Sequence, residues 1–335
     1  MRINENIYAT SKSRILLTMI STAILVFSVM GCNATTTTDT PPPIEQASVT
    51  YDLVHTIDLE NFGAGEAIRI QIWVALVRSI APYQELISMM ITPVDCATIS
   101  NIYDNEYAVI EFTEVPAGET RQVEIQYKLK VYELDFDLGQ CEGDVPDEYI
   151  NSEKYMESDS LVIRAQSDEL SAGQVDLCGK SRAFYDFVGE NVSYVGYNPG
   201  DIGAAAALET LVGDCTEYTD LLIALNRASG IPARYFDGVT CCTDAGYRES
   251  ENKHNWLDVN LPGSGWVPMD PTCGRFASDR ETYFAGITPD HIIVTQGRYL
   301  TRLSGYYFYY YQYFWDAEAT DVSSNEAWSG LKGSE

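Results

Sequence analysis

Three side chains in the second half of this chain have the types and the order needed to activate a sulfur nucleophile. Cys215 follows Gly213-Asp214 and opens a predicted helix over Thr216 to Ser229, where Tyr218, Leu221, Leu222, Leu225 and Ala228 fall on one stripe. Gly230 and Pro232 stop that helix. The first turn of a helix presents unsatisfied N–H groups and the positive end of the dipole, so a thiol there is shifted toward thiolate. Taken by itself, Cys215 reads equally well as a structural thiol or a disulfide partner.

Partners for a reactive thiol sit on a β-hairpin. His254 to Leu261 and Trp266 to Asp270 flank the turn Pro262-Gly263-Ser264-Gly265. Period-two alternation sends Leu257, Val259, Leu261, Val267 and Met269 toward a core and gives His254, Trp256, Trp266 and Asp270 the opposite face. Pairing about this turn makes opposed residue numbers sum to 524 or 526, so His254 faces residue 270 or residue 272. Asp270 is then directly opposite or diagonal, with Cβ atoms about 5 to 8 Å apart. A carboxylate at that range orients an imidazole and stabilises its protonated form.

The blocks Gly213-Asp214-Cys215-Thr216, Leu221 to Arg234, His254 to Val259 and Gly265 to Thr272 closely resemble, in the same order, the core of the transglutaminase-like superfamily. The resemblance implies Cys215 as nucleophile, His254 as general base and acid, and Asp270 as the orienting carboxylate. It also implies acyl transfer. Thiolate attack on an amide forms a thioester and expels an amine protonated by His254; water or a second amine then resolves the thioester. The backbone N–H of Cys215 is the first donor to the oxyanion. The hydroxyl of Tyr194 is a candidate second donor, since an aromatic residue upstream of the cysteine has that role in some members; a tyrosine in Asn-Val-Ser-Tyr also suits plain packing. Foremost among the functions that fit is a thiol peptidase or amidase acting on peptide or isopeptide bonds. A protein-crosslinking transglutaminase and a non-catalytic binding or assembly module of the same fold are the alternatives. Each implies a protein or peptide partner and no cofactor.

The elements that must position these residues make an α+β chain. From Ser48 to about Gly139, strand-like runs alternate with turn signals, and in the last of them Val123, Ile125, Tyr127, Leu129 and Val131 alternate with polar residues. The stretch Asn61 to Val131 looks like the β-sandwich, immunoglobulin-like, that precedes the core in bacterial and archaeal relatives. An acidic connection, Asp144 to Asp159, leads to helical spacing at Ala183, Phe184, Phe187 and Val188 and to a further candidate helix over Ala204 to Val212. Antiparallel strands follow, as in a papain/transglutaminase-like core with helices packed on a sheet. The run Tyr306 to Trp315 reads as a final strand, or as a surface for a partner or glycan where its rings are exposed.

At the N-terminus, Arg2, Lys12 and Arg14 precede an apolar run from Ile15 to Met30, with Gly31 just before Cys32. Val29-Met30-Gly31-Cys32 resembles a lipoprotein signal, in which Cys32 becomes the lipid anchor; plain secretion and an uncleaved anchor are the alternatives. Each puts the globular part outside the cytoplasm, at the outer face of a membrane or free of it. The expected plan is a signal over 1–31, a Thr- and Pro-rich linker over 32–47, a sandwich over 48–142, the catalytic domain over 143–315 and an acidic polar tail over 316–335.

Composition excludes several classes. The formal charge of −28 becomes about −30 without Arg2, Lys12, Arg14 and Glu5. Such a surface repels phosphate backbones, which argues against nucleic acid as a partner, and its plainest use is solubility. With Cys32 lipidated and Cys215 kept as a thiol, Cys96, Cys141, Cys178, Cys241, Cys242 and Cys273 remain as an even set for three disulfides in an oxidising compartment. Adjacent Cys241 and Cys242 could bridge to Cys273 and brace the site, or bond elsewhere. Cysteine spacing matches no zinc motif and the chain has 3 histidines, so no metal is expected; His55 and His291 read as structural.

Overall fold

Strict alternation along Thr120–Tyr132 buries Val123, Ile125, Tyr127, Leu129 and Val131, and this strand is the centre of one layer of a sandwich. In the computed structural model the residues described are 2–4, 47–94, 97–100, 103–139, 141–197, 200–240, 253–306 and 308–330. The expected lipid anchor Cys32, the leader beyond residue 4, the linker up to residue 46, and Cys96, Cys241 and Cys242 lie outside the described residues.

The first eight strands are β1 (Arg2–Asn4), β2 (Ser48–Asn61), β3 (Ala67–Leu76), β4 (Gln84–Thr92), β5 (Ala97–Ser100), β6 (Glu106–Val115), β7 (Thr120–Tyr132) and β8 (Leu134–Asp135). Helices then dominate: α1 (Leu161–Ser171), α2 (Leu177–Asn191), β9 (Ser193–Tyr194), α3 (Ala204–Thr210), β10 (Val212–Gly213) and α4 (Cys215–Ala228). Antiparallel strands β11 (Ala233–Thr240), β12 (Lys253–Leu261) and β13 (Gly265–Met269) follow, then β14 (Gly286–Ile287) and β15 (His291–Gln296). The chain closes on β16 (Tyr309–Trp315) and β17 (Val322–Ser329).

Two sheets, ordered β1-β16-β3-β6-β5 and β17-β2-β7-β4, face each other across one apolar core. Leu53 and Ile57 of β2 meet Ile70, Ile72 and Val74 of β3 there, and each such fully buried side chain contributes about 1.5 to 3 kcal/mol. The second core lies between α4 and the sheet β13-β12-β11-β15. Every residue of α4 from Cys215 to Arg227 is buried, so this helix is packed all round and not only along its apolar stripe. Its polar residues are paired instead: Arg298 binds Asp220 at 3.1 Å, and the Arg227 guanidinium donates to the Ala233 carbonyl. Gly230 has φ +74, the left-handed turn that ends α4 and favours glycine.

The chain departs from the expected plan in three places. First, β16 pairs with β3 and β17 pairs with β2, so the last two strands return to the sandwich. The expected boundary at residue 315 therefore falls inside the sandwich's own return, and the expected tail contains a strand. Burial explains why: Trp328 of β17 stacks on His55 at 3.9 Å between ring centroids. His55 is structural, its pKa lowered by burial and its Nε2 2.9 Å from Glu326. Second, Cys141 and Cys178 form a disulfide that ties the segment after β8 to the start of α2, whereas Cys273 carries a thiol. The Cys273 sulfur stands 4.0 Å from His254 Nε2, and the pairing of Cys96, Cys241 and Cys242 lies outside the described residues. Third, α1 is a helix that hydrophobic spacing does not announce; it has two buried residues, Ile163 and Ser167.

The sandwich also grips the second sheet. Gln84 donates to the Ile293 carbonyl at 2.9 Å and accepts from the Ile293 N–H at 2.8 Å, while Asn105 makes the same two-bond clasp on Gln296 at 2.7 and 2.9 Å. Side-chain amides thus replace a neighbouring strand along β15. Truncating Trp328 tests whether β17 is integral to this body. Trp328→Ala is expected to cost about 3 kcal/mol, read as a lower urea midpoint by circular dichroism; an unchanged midpoint would mean that residues 322–329 are dispensable.

Candidate active site

The start of α4 is fixed by a reciprocal cap. Asp214 has extended backbone (φ −107, ψ −162); its carboxylate accepts from the Thr216 N–H at 2.8 Å, and Glu217 Oε2 accepts from the Asp214 N–H at 2.9 Å. Gly213 leaves room for this box, since a Cβ there would stand 2.3 Å from the Glu217 Cβ. Cys215 is consequently the first residue of the helix and is 8% exposed.

Two consecutive residues of β12 reach its sulfur. Asn255 Oδ1 lies 3.5 Å from Cys215 Sγ and also accepts from Thr216 Oγ1 at 3.0 Å, while the Asn255 amide donates to Asp237. The charge of the His254 ring acts on the Cys215 thiol from the neighbouring position of β12. Opposed residues of β12 and β13 sum to 526, as in Leu257↔Met269 and Val259↔Val267, so Asp270 takes the diagonal position of the two expected. From there its Oδ2 is 2.6 Å from His254 Nε2. With Nε2 committed to Asp270, Nδ1 is the nitrogen left for the thiol.

Asp270 is fully buried and accepts four contacts. Its Oδ1 takes the N–H groups of Thr272 at 2.8 Å and Cys273 at 2.9 Å, and its Oδ2 takes His254 and also His291, whose Nε2 is 3.1 Å away. His291, read from sequence as merely structural, is thus in direct contact with the orienting carboxylate. Its other nitrogen is 2.9 Å from Asp290 Oδ1. The Trp256 indole closes this side, with ring centroids 5.8 Å from His254 and 5.1 Å from His291. It lies so near the backbone of β11 that a Cβ on Gly238 would be 2.3 Å from the indole.

Burial would discharge His254, but the Asp270 charge and hydrogen bond prevail and hold it protonated, its pKa raised to about 10. Burial would likewise raise Asp270; the charge of His254 and the hydrogen bonds from both imidazoles keep it well below the usual carboxylate range. The Cys215 thiol is pushed up by burial, against the influence of His254, which lowers it. This revises the expectation drawn from the helix start. The imidazolium, and not the helix terminus alone, is the lever on the thiol.

The structure therefore brings Cys215, His254 and Asp270 together, and adds Asn255 and His291, for which spacing carried no signal. Tyr194 is less directly engaged. The β9–β10 pairing sets its backbone beside Gly213, and the Arg275 guanidinium sits 4.7 Å from its ring.

Residues 164–271 match the model of the Transglutaminase-like superfamily. The uncharacterized protein YebA of Bacillus subtilis is 30% identical over 184 residues, which cover 47% of this chain and 24% of that protein. An uncharacterized protein of Haemophilus influenzae is 24% identical over 144 residues, 37% of this chain and 39% of that one. The chain thus spans less than half the length of these relatives. Among solved structures, a "putative cysteine protease" from Cytophaga hutchinsonii shares the fold, with a TM-score of 0.58 at 15% identity over 85% of this chain and 92% of that one.

The pair of opposite shifts has a signature in stability. His254 is raised from 6.5 to about 10, so its contribution is complete below pH 6.5 and is lost as pH climbs through 10. Asp270 is depressed below 3.8, so its contribution is present above that pH and is lost as pH falls toward its folded-state value. Asp270→Asn removes both and is expected to cost about 3 kcal/mol at pH 7. The urea midpoint of the variant should also decline less between pH 7 and pH 10 than that of the native protein; equal slopes would contradict the pairing.

Proposed function

We propose, for a chain whose residues 164–271 belong to the transglutaminase-like superfamily, that Cys215, His254 and Asp270 are the catalytic triad of a thiol hydrolase acting on peptide or isopeptide amides. The observation that carries this reading is a thiol at a helix start whose neighbouring imidazole, His254, acts on it and lies 2.6 Å from a buried carboxylate. In the reaction, the Cys215 proton resides on His254 and the sulfur attacks the amide carbon. The oxyanion is met by the Cys215 backbone N–H, with the Tyr194 hydroxyl as second donor. Collapse breaks the C–N bond as His254 gives its proton to the leaving amine, which yields the thioester. His254, now neutral, takes a proton from water as its oxygen attacks the thioester; the carboxylic acid leaves and the thiol is restored.

Asp270 works through His254 by fixing which nitrogen faces the thiol and by stabilising the imidazolium. The working place of this chemistry is outside the cytoplasm, a reading supported by the basic residues, apolar run and Gly31-Cys32 of the leader. Cys32 is the lipid anchor in that reading. Among the described residues no helix is long and apolar enough to cross a membrane.

Iodoacetamide mapping combined with turnover of a peptide library, with and without an added primary amine, tests the proposal. Alkylation of Cys215 should end turnover, and Cys215→Ala should abolish it. Asp270→Asn should lower kcat by about 10² to 10⁴-fold, and Tyr194→Phe by about 10²-fold. Turnover that survives in Cys215→Ala would sink the enzyme reading, and product that forms only with the amine would replace hydrolysis by crosslinking.

A further inference from the structure

We propose that His254, Asp270, Cys273 and His291 form a binding site for a zinc-class divalent cation, and that occupation of this site takes His254 out of proton transfer. The four ligand atoms, Nε2, Oδ2, Sγ and Nε2 in that order, all lie within 4.8 Å of one another. Asp270 Oδ2 is 2.6 and 3.1 Å from the two imidazole nitrogens, and Cys273 Sγ is 4.0 Å from His254 Nε2. A tetrahedral zinc ion with bonds of about 2.0 to 2.3 Å has ligands about 3.3 to 3.6 Å apart. Small side-chain rotations bring these atoms to that spacing. Thiolate, imidazole and carboxylate together are donors for zinc and its neighbours, whereas calcium and magnesium take oxygen ligands.

The ligands are oriented from behind, as metal ligands are. His291 Nδ1 faces Asp290 Oδ1 at 2.9 Å and Thr288 Oγ1 at 3.3 Å, and Asp270 Oδ1 is held by two backbone N–H groups. With a carboxylate oxygen against each nitrogen, the His291 ring is satisfied either by two protons or by one proton and a cation at Nε2. Cys273 is half-buried while the other three are buried, so the cation enters from the Cys273 side.

Binding replaces protons on His254 Nε2, His291 Nε2 and Cys273 Sγ, which leave to solvent, and the two negative charges of Cys273 and Asp270 balance the dication. His254 then keeps its Nδ1 proton toward Cys215 and has no exchangeable Nε2 site. Cys215 is not a ligand. Metal binding itself stands apart from the proposed hydrolase activity; only its inhibitory effect rests on that reading.

Cobalt(II) added to the full chain reads the site without any activity assay. One equivalent should bind with a thiolate-to-cobalt charge-transfer band and be displaced by zinc(II). The band should persist in Cys215→Ala and disappear in Cys273→Ser. His291→Gln, checked for folding by circular dichroism, should weaken zinc affinity by more than the ~10 to 100-fold typical of outer-shell changes, and supplies the test where Cys273→Ser does not fold. A band lost in Cys215→Ala but kept in Cys273→Ser, unchanged zinc affinity in His291→Gln, or no cobalt binding by the native chain would each overturn the proposal.

Discussion

A carboxylate with no exposure to water must be met by donors on every side, and Asp270 imposes that demand on the whole second half of the chain. Withdrawing such a charge from solvent costs several kcal/mol unless its lone pairs are satisfied. Here the donors come from separate parts of the fold: the turn after β13, the start of β12, and β15. None can move alone without leaving a buried charge short of a partner. The sandwich is drawn into the same constraint because Gln84 and Asn105 clasp the backbone of β15. Packing joins the two halves as well, with Val239, Ile292 and Val294 lodged in the sandwich core. The N-terminal sheets are thus part of what holds His291 against Asp270.

How much of this was legible depended on whether the information was local. The hairpin carrying His254 and Asp270 could be read because a period of two and a four-residue turn leave few registers, and the diagonal one is observed. Helix α4 could be read from its stripe, its Asp214 cap and its Gly230 stop. His291 was misjudged because its neighbour β11 is far away in the chain and their pairing shifts register between Asp237 and Gly238. No spacing rule foresees such a contact. The segment of β16 was assigned to the catalytic domain and that of β17 to a polar tail for a related reason. Alternation says that a segment is a strand, but not which sheet receives it, and in β17 only Val322 and Trp328 are fully buried. The polar face of α4 was missed because its charges are buried against distant partners such as Arg298.

Sulfur chemistry in this site follows from a competition of magnitudes. A helix terminus contributes about 0.3 to 1 kcal/mol to a nearby anion, up to about 2 in a partly buried setting. Desolvating a charge costs several times that. Cys215 is nearly buried, and its thiol is accordingly pushed up despite the cap and the helix start. What opposes burial is the imidazolium, and His254 stays an imidazolium only because Asp270 is fixed beside it. The proton affinity of the Cys215 thiol is therefore set in part by a charge with which it makes no direct contact, relayed through one ring.

The same arrangement makes the cluster a place where cations compete. Asp270 Oδ2 concentrates two imidazole nitrogens on one oxygen, and the half-buried thiol of Cys273 adds a second anionic donor within 4.0 Å of His254 Nε2. Whatever strengthens the hold of Asp270 on the His254 proton also strengthens its hold on any other cation that fits, since both are attracted by the same buried negative charge. Proton and metal differ in what they ask of the surroundings. A proton needs only the 2.6 Å pair, whereas a metal needs His291 and Cys273 as well. Those two residues lie outside the matched segment 164–271. The proton-holding pair thus belongs to the shared core, and the residues that would complete a metal site are supplied by the part of the chain beyond it.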